Sequence, residues 1–401
     1  MLRDEALEIV RRLQASGHQA LFAGGCIRDR LLAFDPTDYD VATSARPHEV
    51  ESLFENTIPV GKRFGIMVVP WKGHDFEVAT FRSDGVYLDG RRPEEVTFSS
   101  AEEDARRRDF TINAMFEDPV SGEVIDYVGG KNDLEHRLVR AVGDPLARFR
   151  EDRLRMMRAV RFAARLDFEI EDATLAAIEA ESEAVGEVSA ERIGGELVRI
   201  LTEGSARRGF ELLDATGLLA AVMPEMKALK GCRQPDNFHP EGDVFEHTLV
   251  CLGLLEANCS PTLALGLLLH DIEKPSCRRE RDGRISFHGH TKVGAQTAET
   301  ICRRLRLSNA VVERVSFLVA QHLRHCSAPQ MRQSTLKRFL RQNGIEELLE
   351  LTRLDALASD GNLDSYEFCR RAIDNLPTEE VRPPRLVTGE DLKSMGLAPG
   401  P

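Results

Sequence analysis

In the stretch DPTDYDVAT, Asp38 and Asp40 lie two residues apart, and residues 38–42 alternate as a β-strand does. Residues i and i+2 of a strand point to one face, so the two carboxylates converge. Convergent carboxylates without a neutralising base repel each other unless a hard cation lies between them, and Mg²⁺ favours such oxygens together with substrate phosphates. Just upstream, LFAGGCIRDRLL reads as a strand over 19–23, then Gly24-Gly25, then a helix over about 26–32. Two glycines at a helix start bring backbone N–H groups close to a ligand, a geometry that suits phosphate. Alone, Gly-Gly is usually a tight turn and a lone DxD usually a solvated loop. Their succession is what points to chemistry. Glu77, on the strand signal over 76–81, is a candidate third carboxylate.

Residues 1–16 read as an amphipathic helix with Ala6, Ile9, Val10 and Leu13 on one face. Strand alternation recurs at 65–70 and 124–128, mixed with helix signals to about residue 140, which makes this an α/β region. From Asp144 the pattern changes: RFREDRLRMMRAVRFAARL, ATLAAIEAESEAV and SAERIGGELVRIL are helical, and helices continue to about 375. The expected organisation is elongated and multi-domain. It comprises an α/β head with a mixed sheet (1–143), an all-α neck (144–205), a helical body (206–375) and, after the Pro-rich LPTEEVRPPRLV, a final segment (376–401). At roughly 100–200 residues per domain, 401 residues accommodate such a division.

A net charge of −13 argues at first against nucleic acid as a partner. Yet 44 of the 53 basic residues are Arg, which grips phosphate bidentately and stacks on bases, so a local Arg surface can serve an acidic protein. A GC-rich source genome accounts for the Arg bias equally well. Eight cysteines, none in a CxxC pair, fit reduced and mostly buried thiols. No apolar run approaches the roughly 18–20 residues of a membrane span. The charged N-terminus has no apolar signal core, so a cytoplasmic protein that does not contact membrane is expected.

Further motifs follow in order: RRRDFTINA, DYVGG, EDRLR and SAERI. Adjacent guanidiniums ahead of an acid (Arg107, Arg108, Asp109) can bind phosphate and a sugar hydroxyl, although such a run elsewhere is usually a solvated helix face. Asp152 and Arg155, at i and i+3, would share one helix face and offer acceptors and donors to a base edge; the ordinary reading is an intrahelical ion pair. With GGCIRD and DYD, these motifs resemble, over about residues 20–200, the class II tRNA nucleotidyltransferases and bacterial poly(A) polymerases of the polymerase-β-type superfamily. The resemblance implies a polymerase-β-like head with Asp38 and Asp40 as catalytic ligands of two Mg²⁺ ions. It assigns the nucleotide to Gly24, Gly25, Arg28, Arg107, Arg108, Asp109 and Asn113, and base selection between CTP and ATP to Glu151, Asp152 and Arg155. Arg158 and Arg161, further along, stand near the nucleotide or serve packing. DYVGG (126–130) would be a head–neck hinge, and Ser189, Glu191, Arg192 and Glu196 a supporting helix opened by a Ser189 cap. ATFRSDGVYLDGRRPEEVTF, with Arg82, Asp84, Tyr87, Asp89, Arg91 and Arg92, resembles the flexible loop of CCA-adding and A-adding enzymes, which is shortened in CC-adding ones.

His247, His270-Asp271 and Asp355 lie in helical sequence in the order H…HD…D, and imidazoles with carboxylates suit a divalent metal. LALGLLLHDIEKPS resembles the HD phosphohydrolase superfamily, which adds His290 and His322 as candidate ligands; His288 and His325 fit no ligand position. Glu273 replaces the Gly usual after HDI, and would place an extra carboxylate near the metal. The final LVTGEDLKSMGLAPGP resembles a segment after which relatives continue for several dozen residues. The function expected is template-independent addition of CMP and AMP to the 3′ end of tRNA, with ATP and CTP as substrates. A-adding enzyme and poly(A) polymerase are close alternatives, and an HD metal-dependent phosphohydrolase a distant one. The sequence is silent on oligomeric state.

Overall fold

Short apolar runs broken by Gly and Asp at their ends build the first sheet. In the computed structural model, which describes residues 2–85, 95–235, 242–375 and 393–396, a short parallel pair joins Leu138–Val139 to Glu169–Ile170, the latter a strand inside the segment 144–205 expected to be all-α. Nine further strands occupy the N-terminal part. They are β1 (Ala20–Ala23), β2 (Asp40–Thr43), β3 (Ile58–Gly61), β4 (Ile66–Trp71), β5 (His74–Thr80), β6 (Arg82–Asp84), β7 (Val96–Phe98), β8 (Phe116–Asp118) and β9 (Glu123–Ile125). Seven form one mixed sheet in the order β3-β4-β5-β2-β1-β8-β9, and β6 pairs with β7 apart from it. β2 and β5 run parallel, and the other neighbours are antiparallel. All four residues of β1 are buried, as befits a central strand. On one side of the sheet the Leu2–Ala15 helix buries Ala6, Ile9, Val10 and Leu13, the face its periodicity predicted. Phe22, Phe81, Phe110 and Phe116 are fully buried, each stabilising the head by roughly 1.5–3 kcal/mol.

The chain divides into two compact units, 1–227 and 228–401. The breaks expected at 143/144 and 205/206 both fall inside these units rather than between them. Within the first unit the helix Leu154–Leu166 docks on the head through Phe162, whose ring stands edge-on to Phe110 at 5.7 Å. Its fully buried Arg161 is held by Glu196 and, at 2.8 Å, by Glu203.

Helices dominate the second unit. Ser260 caps the helix Pro261–Leu269 by accepting from Leu263 N–H, and Pro261 starts it. Its residues from Ala264 to Leu269 are all buried, which makes this a core helix rather than a surface one. Gly266 lets neighbours approach: a Cβ there would stand 2.8 Å from Leu318 Cδ1. One hairpin, Arg279–Arg281 with Arg284–Ser286, departs from the all-helical expectation. Its two-residue turn is Asp282-Gly283, both at positive φ, the pair most suited to a tight hairpin. Among the described residues no helix is long and apolar enough to cross a membrane.

Candidate active site and metal centre

Ala23 pairs with Asp40, so the Gly24-Gly25 turn leaves β1 beside the start of β2. Gly24 has φ 77°, and a Cβ there would lie 3.0 Å from Arg108 Nη1, so the turn and the Arg-Arg-Asp segment touch where only glycine fits. Asp40 opens β2, but Asp38 precedes the strand rather than belonging to it. The alternation survives nonetheless: Tyr39 between them is buried against Phe22 at 5.1 Å, while both aspartates are exposed. Val41 pairs with Val78 on the parallel neighbour, which sets Glu77 level with Asp40.

Three acids thus share one edge, and their electrostatics record it. Asp40 is open to solvent on one side and walled by protein on the others. That burial, followed by the nearby Glu77 and Asp38, pushes its carboxyl up to about 7. Glu77 is raised as well, chiefly by burial, against the pull of Arg108 and Arg82. An all-oxygen set that resists its own ionisation fits a hard divalent cation.

The opposing charges are fixed by a residue that sequence reasoning missed. Asp104, 1% exposed, gives one carboxylate oxygen to each guanidinium: Oδ1 accepts from Arg107 Nε and Nη2 (2.9 and 2.7 Å), Oδ2 from Arg108 Nε and Nη2 (both 3.1 Å). Its spacing, i−3 and i−4 from the two arginines on a helix turn, was the available signal. Asp109 accepts from Arg158 at 2.9 and 2.6 Å and from Asn113 Nδ2 at 3.3 Å. Burial opposes its ionisation, but Arg158 prevails and holds the carboxyl down at about 2. Arg28 is buried and engaged by Asp29 (2.7 Å) and by Asn113 Oδ1 (2.6 Å).

Asp152 and Arg155 do not share a helix, contrary to expectation. One helix ends at Glu151 and the next starts at Leu154, because Asp152 adopts an extended backbone and its carboxylate accepts from Leu154 N–H. Arg192 then clamps Asp152 bidentately at 3.0 and 2.7 Å, while Arg155 Nη1 reaches Glu151 at 2.6 Å. Ser189 stands at the start of the Ala190–Thr202 helix but makes no side-chain cap. Asp126 gathers the N–H groups of Val128, Gly129, Gly130 and Lys131, which secures the DYVGG turn. Tyr87, Asp89, Arg91 and Arg92 lie outside the described residues, whereas Arg82 and Asp84 form a 2.8 Å pair on β6.

In the second unit the six anticipated ligands come together from five segments. His247 is on the helix Val244–Gly253, His270-Asp271 follow Pro261–Leu269, and His290 opens His290–Arg304. His322 closes Asn309–Gln321, and Asp355 is on Ile345–Ala358. In His270, His290 and His322, Nδ1 faces a backbone carbonyl at 2.7–2.8 Å and must donate, so each Nε2 lone pair is left as the ligating atom. Burial first, then its histidine neighbour His270, lowers His322 to about 4, which keeps it neutral. Two groups result, each with ligand atoms within 4.8 Å of one another: His247, Cys251, His270 and Asp355; and Asp271, His290 and His322. Among the described residues these are the groups so tight, and the head acids are not drawn together in this way. The buried Nε2 atoms of His270 and His290 face Asp271 at 3.1 and 3.3 Å but make no well-aligned hydrogen bond with it, a demand that a cation would meet. Glu273, expected near this centre, turns away: its carboxylate binds the hydroxyls of Thr297 (2.7 Å) and Ser276. His288 and His325 belong to neither group.

Comparison with known proteins agrees with these two constructions. The Poly A polymerase head domain matches residues 20–140, the probable RNA and SrmB-binding site of polymerase A residues 167–230, and the HD domain residues 244–359. Fold and site therefore define a nucleotidyltransferase-type head joined to an HD-type helical unit. The CCA-adding enzyme of Levilactobacillus brevis is 35% identical over 399 residues, 99% of this chain and 89% of that protein. That of Bacillus velezensis is 44% identical over 231 residues, 57% of each chain, so this chain spans little over half the length of that relative in the match. A crystal structure of the Bacillus stearothermophilus CCA-adding enzyme in complex with CTP superposes with a TM-score of 0.72 at 31% identity, covering 99% of this chain and 89% of the other. The chain belongs to the CCA-adding enzyme family.

Proposed function

We propose that this protein adds CMP and AMP to the 3′ end of tRNA without a nucleic-acid template. The observation that carries the reading is the edge shared by Asp38, Asp40 and Glu77, with Arg108 held against it by Asp104. Asp38 and Asp40, with Glu77 beside them, would hold Mg²⁺, which would supply Lewis-acid activation of the 3′-hydroxyl and charge stabilisation of the departing pyrophosphate. The chain's own work is positioning. The Gly24-Gly25 turn admits the triphosphate close to backbone, and Arg108 meets its charge. Asp109, kept ionised by Arg158, offers an acceptor beside Asn113 for a ribose hydroxyl. Arg192 takes one lone pair on each oxygen of Asp152 and Leu154 N–H a second on Oδ1, so of the about four sites of a carboxylate one on Oδ2 remains to accept from a base amino group while the orientation is fixed. Soluble tRNA substrate and nucleotides agree with a cytoplasmic setting.

The test offers tRNA ending before CCA, and tRNA ending in CC, with labelled CTP or ATP. Incorporation of C, C and A in turn is expected. Absence of C incorporation removes CCA addition and leaves an A-adding enzyme or a poly(A) polymerase. The converging imidazoles of the second unit favour a second reading for that unit, a metal-assisted phosphoesterase, which His270→Ala would abolish.

A further inference from the structure

Cys251 stands one helical turn after His247, and both are fully buried. Its sulfur belongs to the apolar core of the second unit by burial, yet it faces polar neighbours. Sγ lies 3.5 Å from His247 Nε2, which lies 3.1 Å from Asp355 Oδ1, itself 3.7 Å from His270 Nε2. These separations have a meaning. Zinc binds sulfur at about 2.3 Å and imidazole nitrogen at about 2.0–2.1 Å, so two such ligands at a tetrahedral angle stand about 3.5 Å apart. Two nitrogen or oxygen ligands stand about 3.3–3.4 Å apart by the same construction. Three of the six donor–donor separations are thus close to those of a tetrahedral hole, and all four donors lie within 4.8 Å of one another. Asp271 completes the surroundings: Oδ2 faces His270 at 3.1 Å and Oδ1 faces His290 at 3.3 Å, so its carboxylate bridges this hole and the neighbouring group.

We propose that Cys251 is a metal ligand, and that His247, Cys251, His270 and Asp355 form a site for a borderline transition ion such as Zn²⁺ rather than for Mg²⁺. The inference rests on the second unit holding a metal. On binding, the thiol releases its proton to solvent and the thiolate takes its place in the coordination shell. Thiolate and imidazole are poor partners for Mg²⁺, which demands octahedral oxygen, whereas the carboxylates of the head are poor partners for a soft ion. One chain would therefore carry two chemically separate metal compartments, each loaded independently of the other.

The full chain, stripped by chelation and reloaded with Co²⁺, provides the test. A thiolate-to-cobalt charge-transfer band in the near ultraviolet is expected, together with the intense visible bands of four-coordinate cobalt. The band should vanish in Cys251→Ser and persist in the Asp38→Ala/Asp40→Ala double variant. Zn²⁺ should displace the cobalt and excess Mg²⁺ should not. Cys251→Ser should weaken Zn²⁺ binding by at least the roughly 10–100-fold that loss of even an outer partner causes. Cobalt bound without the charge-transfer band overturns the role of Cys251 while leaving a metal centre in place. Failure of the second unit to retain cobalt overturns both. Retention of the band in folded Cys251→Ser would assign it to another of the eight cysteines and overturn the proposal. Its absence from the wild-type protein would do so without any variant.

Discussion

Replacing Asp104 by Ala removes the buried carboxylate that Arg107 and Arg108 share, leaving Arg107 a 3.8 Å pair with Asp84 and Arg108 its 3.2 Å bond to the Asn113 carbonyl. Four charge-assisted hydrogen bonds disappear, at 2.9, 2.7, 3.1 and 3.1 Å. Breaking a buried pair by deleting one partner costs about 3–5 kcal/mol. Here the Arg107 and Arg108 side chains keep 20% and 19% of their surface in water, which takes over part of the lost bonding and brings the expected loss of stability to about 2–3 kcal/mol. The catalytic loss has a different origin. In the proposed function Arg108 would meet the triphosphate from the position Asp104 gives it, and the loss of one oriented donor costs about 100-fold or more, or about 2.7 kcal/mol. We therefore expect kcat/KM for CTP and ATP, per folded molecule, to fall about 100-fold in Asp104→Ala. Asp104→Asn preserves shape and one acceptor oxygen, and should lose about tenfold. Urea unfolding fixes the folded fraction, and steady-state kinetics then separate activity from stability. Wild-type kcat/KM in the folded fraction of Asp104→Ala would refute the reasoning.

The raised carboxyl of Asp40 favours its protonated form in the fold, a contribution complete below the ordinary carboxyl range and lost as pH rises through about 7. A cation competes with that proton, so the half-saturating Mg²⁺ concentration should rise about tenfold per pH unit below 7, and a flat profile would contradict this. Asp109 has the opposite sign: held at about 2 by Arg158, it stabilises the fold above the normal carboxyl value and loses this as pH falls toward 2. Asp109→Asn should destabilise by about 2 kcal/mol at neutral pH, with the gap narrowing in urea titrations as pH falls from about 4 toward 2. Gly130→Ala would place a Cβ 2.3 Å from the Thr111 carbonyl and should cost about 2–3 kcal/mol in the same assay. Gly129→Ala, with open space around it but φ 86°, should cost nearer 1 kcal/mol.

Much of the head was legible because its chemistry is local. Strand alternation set Asp38 and Asp40 on one face even though Asp38 lies outside β2, since burial of Tyr39 fixes the phase. The break at Asp152 was not legible: RFREDRLRMMRAV has unbroken helical periodicity, and the interruption comes from a backbone conformation that Arg192, forty residues away, locks in place. Asp104 and Cys251 were missed for a related reason. Each sits at helical spacing from residues that were recognised, but a lone acid or a lone cysteine at that spacing is ordinary until tertiary burial removes water from around it. The Arg279–Ser286 hairpin carried its Asp-Gly signal openly, amid helical sequence on both sides.

Comparing Asp40→Asn with His270→Ala on tRNA lacking its CCA end, under single-turnover conditions with Mg²⁺ and labelled CTP, puts the head acids to the most direct trial. The account predicts that incorporation is abolished in Asp40→Asn and retained in His270→Ala. Retained incorporation in Asp40→Asn, with loss in His270→Ala, would contradict it.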